Sequence, residues 1–147
     1  MDRITQAQLD AADLQPDPIP DGWVLAGAPR ARTAELSRSL DGARAAFLWD
    51  CTPGEYLWRY AAHETVEILE GEAMVDDGSG SRILQPGGQI RFRAGAIARW
   101  RVLTYVKKIS YCRDPRSQAL RLGLRLARRL RSAALGGGPN AGLPSRV

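Results

Sequence analysis

The stretch from Trp49 to Gly71 places the strongest constraint on the fold. It contains the turn Thr52-Pro53-Gly54, in which proline presets φ and glycine permits a positive φ. Directly after it, aromatic side chains alternate with others at Tyr56, Trp58 and Tyr60. Because side chains of a strand alternate between its two faces, one face carries all three rings. The stretch therefore predicts a tight turn followed by a strand with an aromatic face.

Short strand-like segments separated by turns continue to Tyr111. Asp77-Gly78-Ser79-Gly80 predicts a hairpin turn, and Pro86-Gly87-Gly88 predicts another. Further strands are expected at residues 23–25 (an edge strand), 47–51, 65–75, 82–84, 89–92 and 99–111, with short strands and loops over 26–46. Many short strands without alternating helices are typical of an all-β sandwich or barrel.

The two ends of the chain have a different character. Residues 1–20 predict a short polar helix or an arm, with three prolines in its last five residues. Beyond Asp114-Pro115, Ser117 can cap a basic amphipathic helix that runs to about Leu135. The predicted segments are an arm (1–22), a barrel (23–113), a helix (114–135) and a flexible tail (136–147). The helix is expected to pack on the barrel or a dimer partner, or to contact a membrane surface through residues 117–135.

The net charge of +5 belongs to the C-terminal region. Six of the 21 basic residues are arginines between Arg121 and Arg146, and the remaining 15 face 16 acids. A near-neutral body does not predict a nucleic-acid partner. The polar N-terminus and the lack of a membrane-length apolar run predict a cytoplasmic protein, in which Cys51 and Cys112 stay reduced and buried.

These motifs together resemble the cupin superfamily, and within it the small cupins grouped with ureidoglycine aminohydrolase and the ethanolamine-utilisation cupin. The resemblance covers about residues 46–111. It rests on the order of the Cys-Thr-Pro-Gly turn, Glu64 before Ile-Leu-Glu-Gly, a Pro-Gly turn, an Ala-Gly pair followed by tryptophan, and the late Lys108. It implies a jelly-roll barrel with an internal pocket, and a homodimer formed by exchange of N-terminal strands.

The resemblance also locates a metal site that this sequence lacks. Metal-binding cupins carry a His-x-His pair, a glutamate and a later histidine. Glu64 matches the glutamate, whereas Trp58 and Tyr60 stand at the paired histidines and Ala98 at the later one. A transition metal needs several imidazole or carboxylate ligands. The sequence therefore predicts no catalytic metal and no other cofactor.

The predicted pocket is aromatic with one acidic group. Glu64 is the expected polar residue inside it, with the Tyr60 hydroxyl as a partner, and His63 is expected on the opposite strand face. Lys108 is either a solvated strand-end charge or the ion-pair partner of Glu64. The pocket residues predicted by alternation and by the resemblance are Tyr56, Trp58, Tyr60, Glu64, Ala98, Trp100 and Lys108.

Two functions are compatible with this pocket. The first is binding of a small polar metabolite without a metal. The second is a hydrolase, lyase or isomerase in which Glu64 is the general acid or base, assisted by Tyr60, His63 or Lys108. A third interpretation is purely structural, because a small barrel is just wide enough to be filled by its own side chains.

Overall fold

Residues 3–115 are described by a computed structural model, and their regular structure is almost entirely β. The described residues contain one antiparallel sheet and a single 3-10 turn, Asp21–Trp23. The strands are β1 (Gln15–Pro16), β2 (Val24–Gly27), β3 (Ala31–Arg38), β4 (Arg44–Cys51), β5 (Gly54–Arg59), β6 (His63–Asp76), β7 (Ser81–Leu84), β8 (Gln89–Phe92) and β9 (Ile97–Arg113).

The long strand β9 holds the sheet together. Along one edge it pairs with β6 over nearly its whole length. Along the other edge it pairs first with β5, from Ile97 to Val102, and then with β4, from Val106 to Arg113. This branching pattern curls the sheet into a cupin-like jelly-roll barrel, which confirms the predicted all-β class. The predicted C-terminal helix lies outside the described residues.

Strand β6 bends where it crosses the barrel. Its register with β9 shifts between Ile68 and Glu70 and again between Gly71 and Ala73. Gly71 has a φ of 71°, and a Cβ atom there would lie 1.8 Å from the backbone oxygen of Tyr105. Only glycine fits this approach without moving the neighbouring backbone. The predicted strand with a glycine bend is thus one bulged strand.

The smaller elements agree with most of the predicted pattern. Asp76 pairs with Ser81, so residues 77–80 form the predicted hairpin turn. The edge strand β2 begins at Val24, because Trp23 belongs to the preceding 3-10 turn. Of the helix and the arm predicted for residues 1–20, the helix is wrong for the described residues 3–20. These residues form an arm that pairs with β3 at Gln15 and Pro16.

The core is formed by the inward faces of the long strands. On β9, Ala98, Trp100 and Val102 are buried while the intervening Arg99 and Arg101 are exposed. The same alternation buries one face of β5 and β6. Both cysteines are buried, and neither forms a disulfide within residues 3–115. No helix among the described residues is long and apolar enough to cross a membrane.

Candidate functional site

An ion pair lies inside the barrel. The Lys108 ammonium donates a hydrogen bond to Glu64 Oε1 at 3.1 Å and another to Ser110 Oγ at 3.0 Å. The exposed fractions of the Lys108 and Glu64 side chains are 7% and 2%. Removing two charges from water is costly, and hydrogen bonds within the pair offset part of this cost. Of the two alternatives for Lys108, the structure shows the buried ion pair.

Aromatic rings surround the ammonium. Lys108 Nζ lies 4.7 Å from the ring centroid of Trp49 and 5.2 Å from that of Trp100. The negative face of an aromatic ring attracts a cation at such distances, and more strongly where water is excluded. The rings therefore stabilise the charged form of Lys108 on sides where no further hydrogen-bond acceptor is available.

The other rings of the interior pack against one another. Trp49, Tyr56 and Trp58 meet edge to face, with centroids 5.9–6.5 Å apart. Tyr60 stacks on Phe92 at 4.1 Å, and its hydroxyl accepts a hydrogen bond of 2.9 Å from Trp100 Nε1. These contacts hold the aromatic rings of the interior in a defined arrangement.

Within residues 3–115, four polar atoms of this interior have no oxygen or nitrogen hydrogen-bond partner, although the Cys51 thiol interacts with Tyr56 and the Cys112 thiol with Glu64. The four atoms are Trp49 Nε1, Trp58 Nε1, the Tyr56 hydroxyl oxygen and Glu64 Oε2. An unpaired buried polar group costs about 1–3 kcal/mol, so native proteins contain few of them. The four side chains are contiguous, because Trp49 contacts Tyr56, Trp58 and the ammonium that binds Glu64. Their unpaired atoms mark the place where a polar ligand or ordered water fits best.

Burial controls the protonation of the neighbouring hydroxyls and thiols. It raises the pKa of Tyr56 and Tyr60 well above the usual value, and the charge of Glu64 raises both further. Burial also raises the pKa of Cys51 to about 12 and, together with Glu64, raises that of Cys112. All four groups therefore stay neutral at physiological pH, and the tyrosines can act as donors but not as bases.

The structure brings the seven predicted pocket residues together. Each of them is buried, and Ala98 and Trp100 of β9 pair with Trp58 and Tyr56 of β5. His63 is not part of this group. It lies half-buried on the outer face of β6, where its Nδ1 accepts a hydrogen bond of 3.1 Å from the Ala94 amide. The Tyr60 hydroxyl was expected to be the partner of Glu64. It instead accepts a hydrogen bond from Trp100, and Glu64 is paired with Lys108.

Sequence reasoning missed three residues that contact the ion pair. Trp49 and Ser110 touch the ammonium directly, and Cys112 lies close enough to Glu64 for the carboxylate to raise the pKa of its thiol. Alternation provides a signal for two of them, since Ser110 and Cys112 share the parity of Lys108 on β9. Trp49 could be assigned to the site only by knowing which face of β4 points into the barrel.

The donor set does not fit a cupin metal. Glu64 is the sole acidic or imidazole side chain among the four family ligand positions, and its Oε1 already accepts from Lys108. Among residues 3–115, no three His, Cys, Asp or Glu side chains are grouped so that they hold a metal ion. A divalent cation at Glu64 would meet the Lys108 ammonium and two tryptophan rings rather than further ligands. The residues present therefore do not fit a metal-dependent mechanism.

Comparison with known proteins agrees with this geometry. Residues 38–109 match the family model of the EutQ-like cupin domain. A protein of unknown function from Pseudomonas syringae pv. tomato str. DC3000 has a similar structure, with 25% identity and a TM-score of 0.63 over 69% of this chain and 45% of its own. This chain thus spans less than half the length of that protein. No match was found among curated proteins.

Two proteins linked by name to ethanolamine utilisation have the same fold. The EutQ protein of Clostridium difficile has 12% identity and a TM-score of 0.59, over 74% of this chain and 86% of its own. The putative ethanolamine utilization protein Q of Salmonella typhimurium LT2 has 16% identity and a TM-score of 0.53, over 77% and 99%. These identities show a shared fold. Together with the family match over residues 38–109, this shared fold supports a small cupin of the EutQ-like group.

Proposed function

We propose that the barrel interior binds a small polar metabolite and does so without a catalytic metal. The observation that supports this most directly is the set of four unpaired polar atoms around the buried Glu64–Lys108 pair. A barrel filled only for structural reasons has no need of polar atoms without partners, since apolar side chains of similar volume are equally stable there. A ligand that supplies the missing partners removes this cost.

The chemistry of the unpaired atoms defines the ligand. Trp49 Nε1 and Trp58 Nε1 are donors, and the neutral Tyr56 hydroxyl is a further donor. Glu64 Oε2 is an acceptor beside the Lys108 charge. The matching ligand is compact, carries at least two acceptor oxygens for the indoles, and presents one N–H or O–H group to Glu64. Its carbon skeleton packs against the ring faces.

Entry of a ligand requires side-chain movement. Every predicted pocket residue is buried, and the tryptophan and tyrosine rings contact one another. Trp23 is the least enclosed of the clustered rings, and it lies edge-on to Trp58 with centroids 5.4 Å apart. It sits in the 3-10 turn before the edge strand β2, which pairs on one side only, with β5. We infer that this corner opens first.

A metabolite screen on the full chain tests the binding proposal. Thermal shift identifies compounds that raise the melting temperature, and calorimetry measures their affinity. Trp58→Phe removes one unpaired donor and keeps an aromatic ring at this position, so it lowers the affinity about tenfold, the effect of one hydrogen bond of about 1.4 kcal/mol. Trp23→Phe is the matched control, because Trp23 Nε1 is not among the buried unpaired atoms.

Two results would contradict metabolite binding. One is an affinity that is unchanged by both Trp58→Phe and Glu64→Gln, which would place the ligand elsewhere. The other is a screen without hits, together with an experimental structure in which ordered waters satisfy all four atoms. That result would leave the barrel as a structural module.

The alternative function is acid–base catalysis on the bound metabolite. Its support is that Glu64 keeps one free oxygen next to an ammonium, an arrangement in which the carboxylate accepts a proton from a substrate and Lys108 stabilises the product charge. Burial keeps the Tyr60 hydroxyl protonated by raising its pKa, so it cannot act as the base. A hydrolase, lyase or isomerase of this kind loses turnover in Glu64→Gln while retaining substrate binding. Turnover that survives this change would rule out the mechanism.

Assembly and location stay predictions of the sequence. The expected homodimer is tested by light scattering of the purified chain. Contact with a membrane through residues 117–135, which lie outside the described residues, is tested by sedimentation with anionic vesicles. The expected cytoplasmic location is tested by cell fractionation.

A further inference from the structure

One end of the barrel carries a concentration of positive charge outside the site described above. At the end of the barrel where β6 begins and β9 ends, an open groove of about 570 Å³ crosses the sheet from β3 to β8. We call it the basic groove, and its charged or titratable lining residues are Arg38, Arg44, His63, Arg91 and Arg113. Tyr111, which is 45% exposed, also lines it. No acidic residue of the described chain is among its lining residues.

The arginines are placed together by strand register. Arg44 of β4 is directly opposite Arg113 of β9, and Arg113 is directly opposite His63 of β6. One row further along the strands, Tyr111 is opposite Thr65, and Thr65 is opposite Arg91. Like charges directly opposite each other destabilise a sheet. The arrangement is therefore unfavourable unless an anion is bound.

Three of the four arginines have no anionic partner within the chain as described. In residues 3–115 the side chains of Arg44, Arg91 and Arg113 form no ion pair or hydrogen bond, whereas Arg38 is paired with Glu35 at 2.8 Å. Even Arg38 keeps a buried Nη1 without a hydrogen-bond partner. Outside residues 3–115 the sequence contains seven arginines and one acidic residue, Asp2, so its excess of positive charge is not balanced there.

His63 adds a donor of fixed orientation. Its Nδ1 accepts a hydrogen bond from the Ala94 amide, so in the neutral ring the proton is on Nε2. The ring lines the basic groove, and it therefore offers an N–H group there without needing to be charged. The histidine that contributes nothing to the barrel interior is thus a donor on the outer face.

We propose that the basic groove binds a small multivalent oxyanion, a molecule with two or more phosphate or carboxylate groups. The planar guanidinium fork binds either group through paired hydrogen bonds. Neighbouring strands are about 4.8 Å apart, and Arg113 on β9 is offset by two residues from the row of Arg91 on β8, so their Cα atoms lie about 12 Å apart. One anionic group fits between Arg44 and Arg113, and a second group of the same molecule can bind Arg91. Tyr111 is exposed on β9 in the same row as Arg91, where its ring can support the connecting part of the molecule.

Calorimetry on the full chain at low ionic strength tests this proposal. The probes are pyrophosphate and citrate, which carry several anionic groups, and acetate, which carries one. The expected result is binding of pyrophosphate, citrate or both, at least about tenfold tighter than acetate. A preference for pyrophosphate identifies oligophosphates as the natural class, and a preference for citrate identifies polycarboxylates.

Variants locate the site. Arg44→Gln combined with Arg113→Gln lowers the affinity at least about tenfold, since two charge-assisted contacts are lost. Arg101→Gln is the matched control, because Arg101 lies exposed on the same face of β9 but does not line the basic groove. It changes the affinity less than twofold. Both proteins are first compared by urea unfolding, so that a loss of binding is separated from a loss of structure.

Three outcomes would overturn the proposal. They are the absence of binding to any probe at millimolar concentration, equal affinity for acetate and the multivalent probes, and equal loss of affinity in the Arg101 control. The last outcome would indicate attraction to the net charge alone. Trp58 does not line the basic groove, so Trp58→Phe leaves this affinity unchanged, and failure here is distinct from failure of the metabolite proposal.

Discussion

On the inner face of β6 and β9, Lys108 is paired with Glu64. On the outer face, Arg44 and Arg113 lie side by side and neither forms an ion pair within residues 3–115. The two sets of charges belong to the same sheet and differ in exposure to water. An unpaired charge is prohibitive inside the barrel and costs only a few tenths of a kcal/mol outside it. Inside the barrel each charge therefore requires the other, whereas the outer cluster persists for another reason, which we infer to be binding.

The largest effect is expected from breaking the inner pair. Lys108→Met keeps the length of the side chain but leaves the Glu64 carboxylate buried without its counter-charge. The free energy of unfolding at neutral pH is expected to fall by about 3–5 kcal/mol, measured by urea denaturation. Adding Glu64→Gln is expected to recover part of this loss, because the uncompensated charge is then gone.

The adjacent lysine supplies the control for this experiment. Lys107 points outward on the same strand, and its Nζ lies 3.7 Å from the largely exposed Glu70. Lys107→Met is expected to cost no more than about 1 kcal/mol, as for other exposed ion pairs. Similar losses in the two variants would show that burial does not distinguish the two faces.

A buried hydrogen bond gives the next effect. Tyr60→Phe removes the acceptor of Trp100 Nε1 inside the barrel, and the stranded indole N–H is expected to cost about 1–3 kcal/mol. Tyr105→Phe removes a comparable bond of 2.9 Å on the outer face, where Asp50 keeps its two bonds from Arg32. Its cost is expected to be about 1 kcal/mol. A larger loss for Tyr105→Phe in urea unfolding would contradict this ranking.

The pH dependence of the free energy of unfolding reports on how well the interior excludes water. Burial raises the pKa of Cys51 from its ordinary value of 9.0 to about 12. The folded state therefore favours the neutral thiol, and this contribution is complete below pH 9 and decreases as the pH rises toward 12. At pH 10 the expected loss is about 1 kcal/mol relative to pH 8.

Cys51→Ala separates this contribution from other titrating groups. Its free energy of unfolding is expected to decrease less than that of the unmodified chain between pH 8 and pH 10, by about 1 kcal/mol. Curves that stay parallel over this range would mean that the Cys51 thiol ionises as easily in the folded state as in the unfolded chain.

The smallest effect has the opposite sign. Arg113→Gln removes one of two like charges that face each other, so it is expected to stabilise the protein by a few tenths of a kcal/mol, up to about 0.5, at low salt. Arg101→Gln is expected to destabilise it slightly, because Arg101 is opposite Glu55. If Arg113→Gln also destabilises, the outer arginines are part of the folding energetics and not of a binding site.

Local pattern predicted much of the barrel. The aromatic alternation put Tyr56, Trp58 and Tyr60 on one face of β5, and the cupin resemblance made that face the interior. The turn residues at 77–80 were sufficient to place the β6–β7 hairpin. Strand parity also separated His63 from Glu64. The failed alternative was the polar helix near the N-terminus, where sparse apolar residues gave a weak local preference that pairing with β3 overrides.

The composition of the site depended on contacts between distant residues. Glu64 and Lys108 are 44 positions apart, and the sequence left Lys108 open between a solvated charge and an ion pair. Trp49 was not assigned to the site, because nothing local says that β4 and β9 pair at Trp49 and Lys108. The basic groove was missed for the same reason, since Arg44, Arg91 and Arg113 are dispersed in the sequence.

By itself the sequence determined the strand pattern, the cupin resemblance and the absence of the family's histidines, all of which follow from residue types and short-range periodicity. Only the tertiary structure decided which charges are paired and which are not. Strand register places residues side by side regardless of their separation in the chain, and it fixes whether each faces water. The position of Lys108 beside Glu64, and of Arg44 beside Arg113, is such a consequence of register.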